Sequence, residues 1–121
     1  MAKWQIDAML DAALTYISTN AIELYVCSGQ PANYAGIAAV ALTGAAIPSY
    51  QAPANGDVSG RKLAVDQEAD IPVTATGDAT HIVLASATVL LYVTTCTPQE
   101  LTIGNTVVIP TWDIEIADVT P

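Results

Sequence analysis

Three sets of residues carry the side-chain types that catalysis and metal binding need. They are the carboxylates Asp113 and Glu115, the acidic run Asp66, Glu68 and Asp70, and the thiols and imidazole of Cys27, Cys96 and His81. Asp113 and Glu115 flank Ile114 just after Trp112. On a strand that spacing puts both on one face in the same solvent, so nothing splits their pKa values as a glycosidase pair requires. Asp66, Glu68 and Asp70 also alternate, which on a strand gives one shared face. In a loop they could clamp a hard cation, but the glycine and distal glutamate of an EF-hand loop are missing. A solvated acidic edge that discourages strand pairing is the favoured reading. His81 is the chain's one histidine, falls in mid-strand and has no G-x-S-x-G elbow to serve, so no hydrolase triad is expected. Cys27 falls in a strand away from the cations or helix N-terminus that would activate a thiolate. Two cysteines and one histidine do not fill a zinc site at the usual spacings, and the glycines fit neither phosphate-binding fingerprint. No catalytic residue, metal or cofactor is assigned, and the chain is not expected to be an enzyme.

Composition points the same way. The chain has 121 residues, of which 52% are hydrophobic and only 12% charged, with a mean hydropathy of +0.42. That is apolar and charge-poor for a free monomer and suits an obligate oligomer or a protein docked on a larger assembly. The net charge is −9, and Lys3, Arg61 and Lys62 are the cations. Such an acidic chain is not expected to bind nucleic acid, which needs clustered lysine and arginine. Docking on a basic protein surface is compatible with it. The longest apolar stretch, residues 32–47, is shorter than the roughly 20 residues of a membrane span. The first ten residues lack the apolar run of a signal peptide, and without secretion signals Cys27 and Cys96 are expected as thiols.

The elements that must position these residues are expected as a single domain, 1–121, mainly β with a minor helical part. An N-terminal arm (1–6) precedes a helix (7–20) with Asp7 as N-cap and Met9, Leu10, Ala13, Leu14 and Ile17 on its packed face. Residues 21–47 hold a strand, 22–27, and allow a second helix with Pro31 at its first position and Gly44 just past its end. Residues 48–62 read as a loop, and 63–121 as an antiparallel β core. Within that core Gly77-Asp78 is expected to turn a hairpin over 70–86, facing Ile71, Val73, Ala75, Thr80, Ile82 and Leu84 inward and His81 outward. The apolar run 89–96 reads as a central strand. Gly104-Asn105 is expected to turn a second hairpin that puts Val108, Trp112, Ile114 and Ile116 inward and Val107, Ile109, Asp113 and Glu115 outward. Pro110 requires an edge or a bulge. The resulting architecture is an antiparallel β-sandwich or barrel-like sheet with the N-terminal helix packed on it. Trp112 with Tyr92 raises the alternative of a carbohydrate-binding module, although the face count makes Trp112 a core residue.

The stretches "LYVCSGQPANYA", "SGRKLAV", "GDATHIVL", "LLYVTTCTPQELTIGNTV" and "WDIEIADVTP" are spread between residues 24 and 121. In that order they resemble small virion structural proteins of tailed bacteriophages. The resemblance implies a virion component assembled in the host cytoplasm, preferably a decoration or cement protein on the capsid surface. A tail, neck or fibre-attachment component is the alternative. Its partners would be the major capsid protein and further copies of itself, with a trimer favoured over a dimer. Trp4 and Ile6 in the arm, and Arg61 and Lys62 in the one basic spot, are then the interface candidates. For the basic pair an inter-subunit salt bridge and a solvated loop remain open alternatives.

Overall fold

The computed structural model describes residues 7–56 and 60–116, with the side chain of Asp7 left out. These residues are mostly β, with three antiparallel sheets and one N-terminal helix, and they do not close into a barrel. Helix α1 runs from Asp7 to Asn20. Leu10 and Leu14 are buried and Ile17 packs against the core, while Met9 is 64% exposed, so the buried stripe is narrower than the helical spacing suggested. The helix lies against the third strand.

Strand β1 (Glu23–Cys27) is followed by a 3₁₀ turn at Tyr34–Gly36 and a short helix α2 (Ile37–Val40). The second helix that Pro31 and Gly44 are expected to bracket is therefore a single turn. Asn33 caps its 3₁₀ start by accepting from the Gly36 N–H at 2.9 Å. Beyond Val40 the chain turns extended, because it must supply hydrogen bonds to the outer edge of β1. Leu24 exchanges two bonds with Ala46 (2.8 and 2.9 Å), and Leu42 N–H donates to Val26 C=O at 2.8 Å. Thr43, buried, accepts from Val26 N–H with its hydroxyl at 3.1 Å.

The expected loop over 48–62 contains β2 (Ala54–Asn55) and the first two residues of β3 (Arg61–Val65). The remaining strands are β4 (Glu68–Pro72), β5 (Gly77–Ala85), β6 (Leu90–Leu101), β7 (Thr106–Ile109) and β8 (Trp112–Ile116). They form sheets ordered β1-β5-β6, β2-β3-β8 and β4-β7. Neither expected hairpin forms. Gly77 begins β5 instead of turning it, and β4 pairs with β7 from the far end of the chain. The second turn is centred on Ile103-Gly104, one residue earlier than expected. Asn105 N–H donates to Thr102 C=O at 3.1 Å, and Gly104 takes φ 94°. A positive φ at the third turn position is what glycine allows cheaply. The strands flanking this turn go to different sheets.

That divergence explains a parity error. Val107 and Ile109 are buried and Val108 is 52% exposed, the reverse of the expected faces. The break at Pro110 and Thr111 then slips the alternation by one residue, so β8 has Ile114 buried, Trp112 and Ile116 half-buried, and Asp113 and Glu115 exposed, as expected. Likewise β6 is not central: β5 is, and its residues Ile82 to Ala85 are buried in succession. Ile82 and Leu84 face the main core with Leu24, Leu63 and Val65. Val83 and Ala85 face a second, smaller core with Cys27 and Ile37 on the other side of the sheet. Pro98 lies where the β5–β6 register shifts, the position a proline can occupy within a sheet.

The inverted parity of β7 is testable by urea unfolding. Ile109→Ala should lower stability by about 2–4 kcal/mol, whereas Val108→Ala should change it by about 0.5 kcal/mol or less. Equal costs would contradict the register.

Candidate functional site

Among the sequence-derived interface residues, Trp4 and Ile6 lie outside the described residues. Arg61 and Lys62 open β3 beside β8. The Arg61 guanidinium grips Asp11 of α1 from two sides, Nε to Oδ1 at 2.8 Å and Nη2 to Oδ2 at 3.2 Å. It also donates to Asn55 Oδ1 at 2.8 Å and to the Pro53 carbonyl at 3.3 Å. Its planar fork suits this bidentate arrangement. Lys62 reaches Asp113 at 3.5 Å across the β3–β8 pair. The basic spot is thus engaged within the chain, where it ties the helix and the loop to the sheet.

The carboxylate candidates are dispersed. Asp66 precedes β4 and accepts from Ser49 Oγ and Gln51 Nε2, each at 3.1 Å. Glu68 and Asp70 are separated by the β4 irregularity, where Asp70 takes φ 57°, so the three carboxylates do not share a face. No cluster of three or more metal-ligating side chains occurs among the described residues. His81 sits in central strand β5 between Cys27 and Thr95, with its Nδ1 2.7 Å from Thr80 Oγ1. Both cysteines are thiols. Burial pushes Cys27 up to about 11 and raises Cys96. Neither is the electropositive, exposed setting that makes a thiolate reactive. No helix among the described residues is long and apolar enough to cross a membrane.

The most developed concave feature was not visible in the sequence. Two adjoining clefts of about 260 and 350 Å³ run between β6 and the β7–β8 segment, sharing Ile82, Cys96, Ile109 and Pro110. Thr94 and Thr95 form one wall, and Trp112 with Asp113 the other. The Trp112 ring stacks on Tyr92 with centroids 6.1 Å apart and planes inclined by 26°. One face of each ring is thereby engaged with the other. Trp112 Nε1–H is buried with no acceptor among the described residues. A second feature the sequence reading missed is Glu23, whose Oε1 accepts from both Tyr25 and Tyr34 hydroxyls at 2.8 Å. These bonds join β1 to the 3₁₀ turn over the smaller core. The Glu23/Tyr25 alternation on one strand face was the available signal.

Comparison with family models, curated proteins and solved structures finds no match.

Two measurements follow from this geometry. The Arg61–Asp11 pair is partly solvated, with side-chain exposures of 18% and 32%. A double-mutant cycle should therefore give a coupling of about 1 kcal/mol or less, shrinking in high salt. Cys27 has its pKa raised in the folded state above the ordinary thiol value of 9.0. Its contribution to stability is therefore complete below pH 9 and is lost as pH rises from about 9 to 11. Urea midpoints measured across that window should fall more for the wild type than for Cys27→Ala.

Proposed function

We propose that the chain is a structural protein of a tailed-phage virion, a decoration or cement protein seated on the outside of the head. The observation that carries the reading is the ordered set of stretches from "LYVCSGQPANYA" to "WDIEIADVTP", spread between residues 24 and 121. Several physical features support it. Ile47 is 83% exposed, Ile103 61% and Val108 52%, apolar surface suited to contact with another protein. Arg61 and Lys62 are turned onto Asp11 and Asp113, so a chain of net charge −9 presents acidic groups outward. That field steers the chain toward a basic patch on the major capsid protein. The frame of three sheets holds such surfaces in fixed relation. The chain associates with further copies of itself, and the 1–6 arm with Trp4 and Ile6 anchors it to the lattice, since aromatic anchors dominate interface energetics.

A cement protein stabilises by mass action, because it binds the assembled lattice better than loose subunits. At free concentrations about 100-fold above its Kd it adds about 2.7 kcal/mol per site. Purified protein added to heads that lack it should co-sediment with them and raise their disruption temperature. A chain without residues 1–6 should bind at least about 10-fold more weakly, the loss of one good anchor. Co-sedimentation with isolated tails instead of heads would favour the tail or neck reading. Unchanged affinity of the truncated chain would remove the arm from the interface.

A further inference from the structure

In the β1-β5-β6 sheet one outer edge is covered and the other is not. The 41–46 segment hydrogen-bonds along β1. Strand β6 has β5 on one side and no hydrogen-bonded strand on the other among the described residues. The orientation of its backbone groups follows from the alternation of an antiparallel ladder. Leu24 and Val26 use their N–H and C=O on the 41–46 segment, so Glu23, Tyr25 and Cys27 use theirs on β5. Their partners Ala85, Val83 and His81 are thereby committed to β1, and Leu84 and Ile82 turn to Tyr92 and Thr94 of β6. The N–H and C=O groups of Val93 and Thr95 therefore point outward, beside the cleft that Thr94, Thr95 and Cys96 line.

We infer that this edge pairs with the same edge of a second copy, antiparallel about a two-fold axis at Thr94. Val93 then faces Thr95 of the other copy and the two Thr94 side chains meet, a favourable cross-strand pair. Charge selects this occupant. Two chains of net charge −9 meet most readily where little charge is met: residues 90–99, "LLYVTTCTPQ", contain no charged side chain, and Asp113 on the opposite wall of the cleft is paired with Lys62. Natural edge strands defend themselves with lysine, proline or a bulge. On β6 the register with β5 shifts at both ends, between Leu90 and Tyr92 and again between Thr95 and Gln99, where Pro98 also lies; this leaves 92–95 regular and sets the limits of the pairing. The exposed Val108 and Pro110 flank the same cleft and add apolar contact. An edge paired with itself is isologous, so the assembly is a dimer, in place of the three-fold arrangement expected from the sequence. The inference rests on the self-association in the proposed function and is independent of what the assembly binds, so head binding and self-association can fail separately.

Sedimentation and amide exchange test it together. The wild type should have a mass of about twice 12.5 kDa, and its Val93 and Thr95 amides should be protected as strongly as Thr94. The Thr95→Pro change removes an outward N–H without costing a bond to β5, and T95K places a charge on the edge. Both should sediment at the monomer mass with unchanged circular dichroism. In T95K the Val93 amide should exchange on the order of 100-fold faster while Thr94 stays protected. A wild-type monomer, a trimer, a dimer whose Val93 and Thr95 amides exchange freely, or a T95K variant that remains dimeric would each overturn the inference.

Discussion

Strand β5 is buried on both faces from Ile82 to Ala85, and the rest of the structure depends on that constraint. A backbone segment with apolar matter above and below it has no water for its N–H and C=O groups, so both edges must be paired. Strand β1 satisfies one edge and β6 the other. The demand then moves outward by one strand. On the β1 side the chain meets it with residues 41–46, and this explains why an Ala-rich segment of helical composition abandons the helix after one turn. The hydrogen bonds offered by Leu24 and Val26 outweigh a modest local propensity. On the β6 side the described chain supplies no such cover, and the requirement passes to the surface.

The second organising contact is electrostatic. The chain has few cations and spends Arg61 and Lys62 on internal positioning. Arg61 joins α1, the residues around β2 and β3 through its fork, and Lys62 spans β3 and β8. Neither pair is worth much as free energy at such exposure. Their effect is on register, because a planar bidentate contact tolerates little sliding of helix over sheet.

Local patterns carried the fold further than the pairing of strands. The end of the N-terminal helix at Asn20, the β1 strand, the outward carboxylates of β8 and the mainly β class all follow from periodicities of a few residues, and the structure has them. Strand partners do not follow, because pairing depends on which distant segment fills an edge. Gly77-Asp78 has the chemistry of a hairpin turn, yet β4 finds β7 instead. The parity of β7 was misread for a related reason. Counting from a turn assumes that both flanking strands stay in one sheet, and here the Ile103-Gly104 turn hands the chain from one sheet to another. The apolar run of β6 resembled a central strand because both of its faces touch core residues, Leu91 and Tyr92 on one side and Val93 on the other. Apolar composition reports what lies above and below a strand and says nothing of what lies beside it.

That distinction separates the two kinds of surface on this protein. A sheet face is closed by side chains, which the sequence specifies residue by residue. A sheet edge is closed by backbone, which every residue but proline offers alike, so its partner is chosen by the side chains that flank it and by the charge they carry. On β6 those flanking residues are threonine, valine, tyrosine and cysteine, with no lysine to repel a neighbouring strand before Pro98. In a chain this acidic the absence of charge along 90–99 lowers the Coulomb cost of bringing another acidic surface to this edge. Among the described residues, the β6 edge that has no strand beside it and the uncharged 90–99 stretch are the same part of the chain.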